Sequence, residues 1–161
     1  MHKMKIIFDI ETDGFLQNLT TIHCFVTYEI DSKRTRRFRD NIIEGIGYLE
    51  QAQVLIGHNI KKFDIPALKK IYSFSPKGEI FDTLEYARRL WPKIIENDNE
   101  ENIIPIELRG RHSLKAWGYR LTNQKGDYEG PWDLYSEAMM DYCEQDVKVT
   151  YELWRKISSR L

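Results

Sequence analysis

The period of the apolar positions changes several times along the chain, and each change predicts an element. Met4-Lys5-Ile6-Ile7-Phe8 is apolar, β-branched and bounded by polar residues, which predicts a short buried strand. The turn formers Thr12-Asp13-Gly14 follow. Residues 21–28 (Thr-Ile-His-Cys-Phe-Val-Thr-Tyr) are β-branched and aromatic and predict a second strand. After the turn Asp31-Ser32-Lys33, residues 34–39 alternate loosely, as an exposed third strand closing a meander would. Ile42, Ile43, Ile46 and Leu49 then recur at helical spacing, with a start at Asn41 and Asp40 in place to cap it. Val54-Leu55-Ile56-Gly57 is wholly apolar and predicts a strand covered on both faces.

Residues 58–64 read as a loop entering a helix whose apolar face is Ile65, Leu68 and Ile71-Tyr72, with Pro66 in its first turn. Glu79-Ile80-Phe81-Asp82-Thr83 predicts a short strand, and residues 84–90 a helix that Trp91-Pro92 ends. Periodicity disappears over residues 93–110, and the polar, acidic residues 97–102 predict a mobile surface loop. Ser113 can cap a helix running to about Arg120, and residues 123–131 are rich in turn formers. Trp132-Asp133-Leu134 leads in to Ser136, a cap for the last helix, which runs to about Ser158. Strands first, then strands alternating with helices, predict an α/β layer fold with a mixed sheet and helices packed on it. Ligands in such sheets sit at strand carboxyl ends, where Asp9 and Glu11 lie.

Length and composition narrow the picture. The 161 residues suit one domain spanning 1–161, and 42% hydrophobic with 30% charged residues excludes a disordered chain. No apolar run approaches the roughly 20 residues that span a bilayer, and Met1-His2-Lys3-Met4-Lys5 lacks a signal-peptide layout, so a cytoplasmic setting without membrane is expected. Cys24 and Cys143 form no CxxC pair and are expected as small core residues in a reducing compartment. The histidines lack zinc-ligand spacing. A net charge of −1 neither announces nor excludes nucleic acid, so binding would need local basic patches.

Three places carry candidate chemistry. Asp9 and Glu11 share one strand face, where two carboxylates repel each other and lose solvation. A divalent cation such as Mg²⁺ or Mn²⁺ would offset that; a strand running out into solvent would leave both acids hydrated instead. On the last helix, Met139, Tyr142, Cys143, Asp146, Val149, Thr150, Leu153 and Ile157 fall on one stripe. Asp146 is the acid in that stripe, costly there unless metal-bound or paired with a base or a helix N-terminus. Tyr142, four residues earlier, can address the same point. Asp64 follows Asn59 and Phe63 beside Lys61 and Lys62, and taken alone reads as a helix N-cap.

Together, Asp9-x-Glu11, Asn59-x-x-x-Phe63-Asp64 and Tyr142-x-x-x-Asp146 resemble the three motifs of the DEDD 3′→5′ exonuclease superfamily. The tyrosine places the chain with the DEDDy branch, found in proofreading domains of DNA polymerases. Residues 81–84, 113–121 and 137–142 extend the likeness over nearly the whole chain, which looks most like the proofreading domain of T7-type phage polymerases. The resemblance implies an RNase H-like mixed β-sheet flanked by α-helices, two divalent metal ions (Mg²⁺ or Mn²⁺), and release of nucleoside 5′-monophosphates from single-stranded DNA 3′ ends. By motif position Asp9 would bridge both ions, Glu11 and Asp146 would hold the one carrying the attacking water, Asp64 the other, and Tyr142 would orient that water.

Asn59 and Phe63 would shape the terminal-nucleotide pocket, with Phe63 either stacking on a base or packing in the core. The backbone at Ile10 and Thr12 would touch that nucleotide. Lys61 and Lys62, and further off Arg109 and Arg111, are candidates for the substrate strand. The run Lys33-Arg34-Thr35-Arg36-Arg37-Phe38-Arg39 would contact phosphates or guard an edge strand. Asp82 is expected to cap the helix after it. His112 is expected as a loop or cap residue, since the tyrosine fills the slot a histidine takes in the sister branch. The likeness departs in two places: no polymerase follows, and the segment between residues 126 and 136 is shorter. The expectation is therefore a stand-alone exonuclease or a proofreading partner of a DNA polymerase in trans. The alternatives are an RNA 3′-exonuclease of the same superfamily and a non-catalytic nucleic-acid-binding module; the presence of all four acids and the tyrosine counts against the latter.

Overall fold

The protein is described by a computed structural model that covers residues 3–121 and 127–161. Five strands form one mixed sheet: β1 Lys5–Thr12, β2 Ile22–Glu29, β3 Arg34–Phe38, β4 Val54–Gly57 and β5 Glu79–Asp82, in the spatial order β3-β2-β1-β4-β5. The meander pairs β1, β2 and β3 antiparallel, whereas β4 and β5 run parallel to β1. The carboxyl ends of β1, β4 and β5 therefore open on the same edge, the place where such sheets hold ligands.

The alternation of β1 sorts the two faces. Ile6, Phe8 and Ile10 pack with Ile42, Ile46 and Leu49 of α1 (Ile42–Glu50) and Leu68 of α2 (Ile65–Ile71). Ile7 packs on the other face with Met139, Cys143 and Val147 of α6 (Glu137–Ser158). Asp9 and Glu11 have the parity of Ile7 and so project toward α6. A third cluster joins Ala87 of α3 (Thr83–Leu90), Ile94 of α4 (Ile94–Glu101), Trp117 of α5 (Leu114–Leu121) and Val149, Leu153 and Ile157 of α6. The 22-residue α6 thus backs the sheet and anchors the α3–α5 flank as well.

Several helix starts follow the expected capping. Ser136 Oγ accepts from Met139 N–H at 3.1 Å, Ser113 Oγ from Ala116 N–H at 3.2 Å, and Asp82 Oδ1 from Leu84 N–H at 3.0 Å. Others differ. Asp40 caps nothing: the residue before α1 is Asn41, whose side chain turns back to accept from Arg39 N–H at 3.0 Å. Ile43 is 71% exposed, because the apolar stripe of α1 is only wide enough for Ile42, Ile46 and Leu49. The expected loop at residues 97–102 is largely helical, as α4. Its sequence has no apolar period, but Asp98 is buried and held by Arg120 of α5, an anchor that periodicity cannot show. Of the turn-rich stretch 123–131, residues 123–126 lie outside the described residues.

Candidate active site

β1 ends with Asp9 and Glu11 facing α6, and α6 carries Tyr142 and Asp146 one turn apart on the stripe that includes buried Cys143 and Thr150. Asp64 arrives by a different route. Asn59 takes a left-handed conformation (φ 63°), and residues 60–64 form a π-helical turn closed by Ile65 N–H on the Ile60 carbonyl. Asp82 braces that turn by accepting from Asn59 N–H at 2.9 Å and Lys61 N–H at 3.1 Å. Asp64 is helical in backbone and does not cap α2; its Oδ2 accepts from Ile10 N–H at 3.2 Å. The expected cap role is thus replaced by a bond to the strand that bears Asp9 and Glu11. β4 can lie this close because it ends in glycine: a Cβ on Gly57 would meet Ile60 Cγ2 at 2.3 Å and the Phe8 carbonyl at 3.0 Å.

The four acids form one electrostatic unit with Asp9 at its centre. Glu11 and Asp64 are buried, and Asp9 and Asp146 are half-buried. Burial, then the charge of Asp64, raises the Asp9 carboxyl well above its ordinary range. Burial, then Asp9 and Asp146, pushes Glu11 up to about 11. Burial pushes Asp64 up to about 8 despite the Ile10 N–H, with Asp82 and Asp146 adding to the rise. Burial, then Asp9, raises Asp146 well above its ordinary value. Among the described residues no lysine or arginine forms an ion pair with any of the four. Such a donor set cannot stay ionised unaided, and hard divalent cations are the ligands that suit convergent carboxylate oxygens. Ligand atoms of Asp9, Glu11 and Cys143 lie within 4.8 Å of one another. The Cys143 thiol donates to the Asp9 carbonyl at 3.1 Å, a contact the sequence reading missed by treating the cysteine as packing alone.

Tyr142 is half-buried, and burial followed by the charges of Asp146, Glu11 and Asp9 raises its phenol, so it remains protonated at neutral pH. Next to the acids opens a cleft of about 700 Å³ lined by Ile10, Glu11, Thr12, Asn59, Phe63 and Trp132, with Phe15 at its mouth. The expected pocket residues Ile10, Thr12, Asn59 and Phe63 are all there, and Phe63 both packs against the core and lines the cleft. Phe15 and Trp132 were missed, because both stand in turn segments without periodicity.

The basic residues lie elsewhere. Lys61 pairs with Glu85 at 2.9 Å on the α3 flank, and neither Lys61 nor Lys62 lines the cleft. Arg109 bonds Asn99, Asn102 and the Ile104 carbonyl. Arg37 of the edge strand β3 pairs with Asp141 and Glu144, both at 2.9 Å, and Arg36 with Glu44 at 3.0 Å, which is how a guarded edge behaves. His112 bonds the Trp91 carbonyl in a loop, as expected.

A family model described as RNase H superfamily matches residues 6–158. The DNA-directed DNA polymerase of Escherichia phage T7 is 30% identical over 186 residues, covering 96% of this chain and 26% of that protein. The chain thus spans about a quarter of that relative. Among solved structures, Brucella melitensis NrnC with bound Mg²⁺ superposes with a TM-score of 0.67 at 18% identity, over 99% of this chain and 74% of that one. NrnC is also solved bound to pGG. The catalytic core of RRP6 from Trypanosoma brucei gives a TM-score of 0.64 at 15% identity, over 96% of this chain and 41% of that one. At these identities the structural likenesses show the fold.

Proposed function

The chain belongs to the RNase H superfamily, and on that premise we propose that it is a metal-dependent 3′→5′ exonuclease. It hydrolyses the terminal phosphodiester of a single-stranded DNA end and releases a nucleoside 5′-monophosphate. The observation that supports this reading is a set of four buried or half-buried acids that raise one another's pKa and, among the described residues, have no lysine or arginine ion pair, beside a cleft rich in aromatic side chains. Asp9, Glu11, Asp64 and Asp146 would hold two divalent ions, Mg²⁺ or Mn²⁺, as the motif positions imply. When bound, the ions neutralise the carboxylates and supply Lewis-acid activation of water and of the scissile phosphate. Tyr142, kept protonated by its acidic surroundings, orients the attacking water rather than deprotonating it. Water adds to phosphorus, the bond to the 3′-oxygen breaks, and that oxygen leaves with a proton.

The cleft binds the last nucleotide through the backbone at Ile10 and Thr12, the Asn59 side chain and the face of Phe63. Kinship with a polymerase makes DNA the substrate of choice and proofreading the role that goes with it. The test is degradation of a 5′-labelled single-stranded DNA oligonucleotide, with a matched RNA strand in parallel. The expected result is a ladder shortening from the 3′ end with Mg²⁺ or Mn²⁺, none with EDTA, and none with Asp9→Ala. Faster loss of the RNA strand would move the substrate to RNA. An inert protein on both strands with either metal would mark a binding module instead.

A further inference from the structure

We propose that Trp132 is a positioning residue that ties occupancy of the cleft to the placement of Tyr142, so that cleavage is fast only at 3′ ends that carry a terminal base. The inference rests on the exonuclease reading above. Trp132 lines the cleft together with Phe63 and Phe15, and at 39% exposure one part of its indole is free to meet a ligand. Its other contacts are aromatic. Tyr142 meets it edge-on with centroids 6.2 Å apart at 75°, and Tyr128 meets it at 4.9 Å and 88°. Tyr128 lies 6.0 Å from Tyr142 in turn, closing a three-ring cluster with one member at the cleft and another at the acids.

The backbone under this cluster is pinned from the sheet. Glu11 pairs with Cys24 but Thr12 pairs with Ile22, so His23 is the extra residue of a β-bulge. His23 Nε2 donates to the Trp132 carbonyl at 2.7 Å. The Tyr128 hydroxyl donates to the Pro131 carbonyl and lies 3.2 Å from Ser136 Oγ, the N-cap of α6. Trp132 therefore has a fixed main chain and a side chain completed on one side only. A base stacked on the indole supplies the missing contact, and the indole then holds the Tyr142 ring in the orientation its hydroxyl needs. An end without a base leaves the indole, and through it Tyr142, less constrained.

The experiment is a cycle of variants on two substrates: an ordinary single-stranded DNA oligonucleotide and the same strand ending in a 3′ tetrahydrofuran abasic residue. Wild type should cut the ordinary end up to about a hundredfold faster in kcat, the scale of a small misplacement of a group that orients the reactants. Trp132→Ala should lower kcat on the ordinary end far more than on the abasic end and so close most of the gap between them. Trp132→Phe should restore most of the difference. Trp132→Ala combined with Tyr142→Phe should be no slower than Tyr142→Phe alone, since one residue acts through the other. Equal loss on both substrates, or additive losses in the double variant, would overturn the coupling. If Trp132→Ala fails to fold, Trp132→Phe and Trp132→Leu carry the same cycle. A wild-type protein inert on both strands with metal would overturn the exonuclease reading, and this inference with it.

Discussion

Two buried aspartates, Asp98 and Asp64, solve the same problem in opposite ways. On the α4–α5 flank, Asp98 is 4% exposed, yet Arg120 Nε and Nη2 donate to it at 2.9 and 2.7 Å, and Gly110 N–H adds a third bond at 2.9 Å. Burial pushes its carboxyl up, but Arg120 and the Gly110 N–H outweigh that and hold it below the usual range. At the end of β1, Asp64 is equally buried at 4% but has backbone N–H donors, that of Ile10 among them, and no ion pair with a lysine or arginine among the described residues. Its pKa rises to about 8, and its acidic neighbours rise with it. Burial alone therefore says nothing about function. A buried acid with a complete set of donors is part of the scaffold, whereas a group of acids without one is a set that a divalent cation would complete.

The comparison can be broken most forcefully at Asp9. Asp9→Ala should cost on the order of a thousandfold or more in nuclease rate while leaving the melting temperature in EDTA unchanged or higher, since it removes a buried carboxyl whose desolvation nothing offsets. Asp98→Ala should do the reverse. Leaving the Arg120 guanidinium buried and unpaired should cost about 3–5 kcal/mol of stability, read by urea unfolding, with the rate of the folded fraction little altered.

Metal and pH sharpen the contrast further. Between the ordinary carboxylate range near 4 and about 8, native Asp64 keeps a proton that the unfolded chain has lost. Metal-free stability should therefore fall as pH rises across that window. Mg²⁺ at about a hundredfold over its Kd should restore about 2.7 kcal/mol, seen as a rise in melting temperature that grows with pH and is lost in Asp64→Asn. The Asp98 pair has the opposite sign, its contribution being lost only as pH falls through the lowered pKa. The smallest effect belongs to Asp82, whose carboxylate accepts from Asn59, Lys61 and Leu84 N–H groups. Asp82→Ala should cost roughly 1–2 kcal/mol, typical of a lost cap, and should also loosen the turn that carries Asp64, so a modest fall in rate should accompany it.

What the chain discloses before folding follows from how far each feature reaches. β1 and α6 were legible because strand and helix periods put Asp9, Glu11, Tyr142 and Asp146 on inward faces by local geometry alone. Asp64 was legible as a motif member but not in its local role, since a π-helical turn has no period of its own and looks like a cap. α4 reads as a loop in the sequence because its asparagines and Asp98 are poor helix formers and it has no apolar period, while the Asp98–Arg120 bond that holds it crosses 22 residues. Trp132 and Phe15 escaped notice because a turn residue gains meaning only from what the sheet brings next to it.

The parallel placement of β4 and β5 beside β1 has a further consequence for how such a protein is made in the cell. The acids stand at positions 9, 11, 64 and 146, so the centre is assembled from segments that leave the ribosome at widely separated times. Until α6 is made and docks on the sheet, the nascent polypeptide lacks Tyr142 and Asp146, two residues of the proposed site. On the exonuclease reading proposed above, activity is thus withheld during translation by topology.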